Sequence, residues 1–150
     1  MKLHPEVEAS VEFERAREAL SDRRPLAALA HLEKALLLHD NPAWYSYLGY
    51  CIAKQRGQIK KGIDLCLISL ELEPDVQAHY LNLGNIHLVS GNKAEAFRVF
   101  REGMKLGDHR EIQSKLDEIG TRKPPVFTSL SRNNPLNRFS GILLSRIGLR

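Results

Sequence analysis

Apolar positions along this chain recur with the period of an α-helix. Ile59, Ile63, Cys66, Leu67 and Leu70 fall at i, i+4, i+7, i+8 and i+11, one stripe along one helix. Trp44, Leu48, Cys51 and Ile52 repeat the pattern on the segment before it. The stripes break at Gly57 and at Gly91-Asn92, where the chain must pass through positive φ to turn back. Pro42 and Pro74 sit where one pair of helices stops and the next begins. Ile112, Leu116 and Ile119 form a last stripe, with Glu111, Lys115 and Glu118 among the intervening positions. The pattern predicts paired helices joined by tight turns, then a helix over 110–120 whose single apolar face covers the open end of a stack.

The pairs repeat every 34 residues: Leu32 aligns with Cys66 and Phe100, Ala28 with Gly62 and Ala96, and Ala35 with Ser69 and Gly103. Leu36, Leu70 and Met104 align in the same way, and Asp40, Pro74 and Asp108 close the three units. Leu48-Gly49 and Leu83-Gly84 are 35 apart, so the second unit has one extra residue before Gly57. A fixed period of this length, one helix–turn–helix per unit, is the mark of a helical solenoid.

These residues resemble the tetratricopeptide repeat (TPR). The third unit reads Tyr80, Leu83-Gly84, His87, Ala96, Phe100, Gly103, Asp108, and the second Tyr45, Leu48-Gly49, Ile52, Gly62, Cys66, Ser69, Pro74. The first is degraded: Ala28, Leu32 and Ala35 fit, but Arg15-Ala16 stands for Leu-Gly. The expected fold is all-α: a short α-solenoid over 8–120, with units 8–40, 42–74 and 76–108 and a capping helix over 110–120. Gly49, Gly62, Gly84 and Ala96 are expected where paired helices approach closely.

Composition agrees with helices. Leu occurs 23 times against 17 for Val, Ile and Thr together, and straight-chain Leu keeps most of its rotamer freedom in a helix. No apolar run approaches the length of a membrane span, and Met1–Glu6 turns acidic at once, so neither a spanning helix nor a secretory signal is expected. Cytoplasmic placement follows as the expectation. Charge divides the chain in two. Residues 121–150 carry six Lys+Arg and no Asp or Glu, so of the net +4 they hold +6 and residues 1–120 hold −2. Within this basic tail, Asn134-Pro135 announces a short helix over 135–148. Leu136, Phe139, Leu143 and Ile147 lie on its apolar side, and Arg138 and Arg146 elsewhere.

The chemistry-bearing residues do not assemble into a catalytic or metal motif. His79 and His87 are eight residues apart, over two helical turns, too far to share one metal ion. His87 takes a packing position of the repeat, and Cys51 and Cys66 lie on apolar stripes, where free Cys acts as a small hydrophobe. No nucleophile elbow, phosphate loop or dinucleotide motif occurs. No cofactor, no metal and no enzymatic activity are expected.

The resemblance implies a concave groove lined by the first helix of each unit. Carried over position by position, it is expected to present Tyr47, Tyr50 and Lys54, then Asn82, Asn85 and Val89, with Arg17 from the weak first unit. Asn can both donate to and accept from a peptide backbone, and Tyr supplies rigid area with a polar tip. The Lys/Arg/Asn clamp by which some TPR co-chaperones hold acidic tails is not expected, because its approximate positions here are Phe13, Arg17, Tyr47, Ala78 and Asn82. The functional expectation is an adaptor that binds a peptide or helix of a partner protein. The alternatives are a TPR-type chaperone for secreted proteins, or a tether to a membrane surface or nucleic acid through the tail. Protein contact is favoured for the tail, in trans, by self-association or by folding back over the groove, because two cations in its helix are few for a membrane.

Overall fold

The computed structural model describes residues 4–120. Proline opens the first two helices at the turn where a missing N–H costs nothing: α1 (Pro5–Ser21) and α2 (Pro25–Leu38). Between them Arg23 takes φ 57°, and the Arg24 N–H reaches back to the Ala19 carbonyl at 2.8 Å. A 3₁₀ turn, Pro42–Trp44, follows, and the Asn41 side chain caps it by accepting from the Ala43 N–H at 3.0 Å. It leads into α3 (Tyr45–Arg56). Gly57 ends α3 at φ 67° with its N–H on the Ala53 carbonyl, and α4 (Ile59–Leu72) returns. After α5 (Gln77–Val89), Gly91 turns at φ 80°, and Asn92 caps α6 (Lys93–Met104) by accepting from the Glu95 N–H at 3.2 Å. The described residues end with α7 (Arg110–Gly120).

Three antiparallel hairpins result, α1/α2, α3/α4 and α5/α6, stacked so that α2 meets α3, α4 meets α5, and α3 lies beside α5. Turns stand at Gly57 and at Gly91-Asn92, as the sequence predicts. Trp44 differs from expectation: it belongs to the 3₁₀ turn, and its ring stacks on Phe13 of α1 with centroids 4.6 Å apart and planes 9° apart.

Each junction has its own core. Ala16, Ala19, Ala28, Leu29 and Leu32 of the first hairpin bury against Cys51 and Ile52 of α3. The first unit therefore forms both helices despite its weak sequence match, because alanine meets the size limit that glycine meets elsewhere. Ala53, Cys66, Leu83, Ile86 and Val99 fill the second junction. At the last, Ile112 of α7 is fully buried with Ala96 and Phe100 of α6, and Leu116 and Ile119 pack alongside. The apolar face of α7 thus closes the end of the stack. No described helix is long and apolar enough to cross a membrane. The helix expected over 135–148, with Leu136, Arg138, Phe139, Leu143, Arg146 and Ile147, lies outside the described residues.

Candidate binding groove

Tyr47, Tyr50 and Lys54 stand at i, i+3 and i+7 of α3, one face of that helix. Asn82, Asn85 and Val89 occupy the same offsets of α5, each 35 residues on, so equivalent positions of neighbouring helices line up side by side. Lys54 and Val89 are exposed, and Tyr47, Tyr50 and Asn85 are half-buried. Tyr47 meets the Phe13 ring edge-on at 5.0 Å and the His79 ring at 6.3 Å. Tyr50 packs against both the first and the second core. Each ring is therefore held by neighbours while part of it stays open, which suits a rigid binding surface.

Electrostatics grade the groove. Burial raises the pKa of Tyr47; the Arg17 cation lowers it, and the Glu14 and Glu73 charges raise it. Burial also raises that of Tyr50, and the negative charges of Cys51, were it ionised, and of Glu111 on α7 add to the effect. Arg17 is exposed, but its Nη1 donates to both carboxylate oxygens of Glu14, each at 3.1 Å.

Asn82 is a correction. It is 5% exposed, and its Nδ2 donates to Ser46 Oγ at 3.0 Å, so its amide ties α5 to α3 inside the stack. Around it lies a buried polar network. The Ser46 N–H donates to Ser69 Oγ at 2.9 Å, and Ser69 donates onward to the Pro42 carbonyl at 2.7 Å. His79 lies 2.7 Å by Nδ1 from Ser46 Oγ and 2.9 Å by Nε2 from Glu73 Oε2. The carboxylate can only accept, so Nε2 carries the proton, and Nδ1 accepts from the Ser46 hydroxyl. Serine, histidine and glutamate in a row have the order of a hydrolytic triad. Ser46 is nevertheless 0% exposed, and its oxygen also accepts from Asn82, so no substrate carbonyl can reach it. The row pins the second hairpin to the third.

A second network locks the first hairpin. Glu12 of α1, 2% exposed, accepts from Arg15 at 2.8 Å, Lys34 at 2.9 Å and His31 at 2.7 Å. Its hydrogen bonds from Lys34 and His31 hold its pKa down at about 2. Cys51 and Cys66 are fully buried, and burial pushes the Cys51 thiol up to about 12 and Cys66 higher than ordinary thiols. His87 is half-buried, and desolvation lowers its pKa.

Comparison with known proteins places this geometry. No protein-family model matches the chain. The Sgt2 TPR domain from Aspergillus fumigatus superposes with a TM-score of 0.59 at 15% identity, over 87% of this chain and 93% of that one. The first TPR domain of Spaghetti (RPAP3), bound to the HSP90 peptide SRMEEVD, superposes with a TM-score of 0.57 at 14% identity, over 77% of this chain and 92% of that one. The fold is that of the tetratricopeptide repeat. In sequence, the chain is 33% identical over 124 residues to the human Protein SGT1 homolog, a match that takes in 79% of this chain. It spans 34% of that relative's length. The candidate groove is the face on which Tyr47, Tyr50 and Lys54 of α3 lie beside Asn85 and Val89 of α5.

Proposed function

We propose that the chain is a non-enzymatic adaptor of the cytoplasm, and that its TPR groove holds a peptide or helix of a partner protein. The observation that carries this reading is the alignment of Tyr47, Tyr50 and Lys54 with Asn85 and Val89 on neighbouring helices, the tyrosines and Asn85 partly open to solvent and Lys54 and Val89 exposed. Rigid aromatic rings beside a polar amide and an apolar rim are what an extended segment needs for area and for backbone hydrogen bonds. The Spaghetti domain in its complex with a chaperone peptide uses the same fold for the same kind of task. Residues 136, 138, 139, 143, 146 and 147 of the basic tail serve in this reading as a second protein-contacting segment, in trans or within one chain. The test is retention of proteins from the native cell on immobilised full-length chain, with Val89→Arg and Lys54→Glu as groove variants. Loss of specific proteins from both variants supports the groove, and an unchanged set overturns it.

A further inference from the structure

Three aromatic rings stand in contact where α1 meets the start of α3. Trp44 stacks on Phe13 with centroids 4.6 Å apart, and Tyr47 meets Phe13 edge-on at 5.0 Å with planes 88° apart. Tyr50 follows Tyr47 one turn on along α3. All four side chains are partly buried, and Phe13, Tyr47 and Tyr50 pack against the first core, so the row is fixed before a ligand arrives. Tyr45 and Tyr80 spend their hydroxyls on the Asp40 carboxylate and the Pro74 carbonyl. The Tyr50 hydroxyl and the Trp44 indole N–H have no such acceptor among the described residues. Every buried side-chain nitrogen or oxygen described has a partner, so these two donors reach solvent. Tyr47 can accept from Arg17, which leaves its own proton free to donate. Free charge is sparse along the row. Glu14 is paired with Arg17 and Glu73 with His79, while Lys54, exposed one turn beyond Tyr50, has no carboxylate partner among the described residues.

We infer that this aromatic row holds a proline-rich segment of the partner protein in the polyproline II conformation, with one acidic residue beyond the prolines at Lys54. Such a segment has carbonyls that need donors and, at each proline, no N–H that needs an acceptor. The row is its complement: ring surfaces for the pyrrolidines, and outward O–H and N–H groups for the carbonyls. A helical ligand satisfies its own carbonyls and would leave these donors unmet. The polyproline backbone is preformed, so little conformational freedom is lost on a surface that is itself fixed. Burial keeps the Tyr47 and Tyr50 phenols protonated, and therefore donors, at neutral pH. The one unpaired cation suits a segment that carries a single carboxylate. This rests on the adaptor reading above and names the chemistry of its partner.

Trp44 is the chain's one tryptophan, so its fluorescence reports on the row without a label. The full chain is titrated with decaproline, with decaproline followed by one glutamate, and with a Gly-Ser repeat of equal length. Both proline peptides should give a saturable change in Trp44 emission, the glutamate-ended one at lower concentration, and the Gly-Ser repeat none. Tyr47→Phe and Tyr50→Phe keep the ring and lose the donor, and each should weaken decaproline by about two- to tenfold, the worth of one hydrogen bond. Tyr80→Phe, whose hydroxyl is spent on Pro74, should leave binding unchanged. Lys54→Glu should abolish the advantage of the added glutamate. The inference is overturned by no saturable change with decaproline, by an equal response to the Gly-Ser repeat, or by indifference to both phenylalanine variants. A glutamate that gains nothing overturns the contact at Lys54. If the proline preference fails while Val89→Arg and Lys54→Glu still lose the proteins retained from the cell, the groove reading stands. If those variants keep them, the groove reading falls as well.

Discussion

Gly49 of α3 and Gly62 of α4 cross so closely that a Cβ on either would meet the other's carbonyl oxygen, at 2.5 Å from Gly49 and 2.6 Å from Gly62. The obstacle is backbone on both sides, so neither helix can yield without moving the hairpin. Gly49→Ala should therefore destabilise the chain by about 3 kcal/mol, the upper end of the usual cost of overpacking. Urea unfolding followed by far-ultraviolet circular dichroism measures it. A loss of only a few tenths of a kcal/mol would mean that the helices do not meet here.

The buried network separates two asparagines that look alike in sequence. Ser46→Ala removes the partner of both His79 Nδ1 and Asn82 Nδ2, and should cost about 1–3 kcal/mol. Asn82→Ala should also lower the melting temperature. Asn85→Ala, half-buried on the groove side, should change stability by less than about 0.5 kcal/mol and act on peptide affinity alone. Equal stability losses at Asn82 and Asn85 would contradict this division.

Acid should unlock the first hairpin. Glu12 titrates at about 2 in the folded chain against an ordinary glutamate value of 4.5. Its folded value lies below the unfolded one, so its contribution is fully present above 4.5 and disappears as pH falls toward 2. Melting temperature measured across that interval should fall steeply in the wild type. In Glu12→Gln the curve should start lower and be flatter, and parallel curves would place the acid sensitivity elsewhere.

Both cysteines should be silent in the native state. Cys51 and Cys66 are 0% exposed, and burial keeps their thiols protonated at neutral pH. Ellman's reagent should read almost no thiol in buffer and both thiols in denaturant, whereas fast native labelling would show that the cores open readily.

The hairpins were legible because their causes are local. Glycine at the turns, small residues at the crossings and the apolar period all lie within one unit, and the repeat states them more than once. The first unit shows the limit of pattern matching: Ala16 fails the motif yet meets its physical requirement, a small side chain at a buried site. The polar networks were not legible, because their partners are far apart in the chain. Ser46 and His79 are 33 residues apart, and Glu12 and Lys34 are 22. Glu12 reads as one more solvated charge on a charged helix. Asn82 carried a signal, a poor helix former inside a helix, but the reason for it lies inside the stack.

The central claim is that partners bind on the α3/α5 face of the stack. Amide chemical-shift mapping of the full chain by nuclear magnetic resonance, titrated with a peptide from a protein that the immobilised chain retains, tests it most directly. The largest shifts are expected at Tyr47, Tyr50, Lys54, Asn85 and Val89. Shifts centred on Leu67, Ile68 and Leu72, the exposed apolar residues of α4, would contradict it.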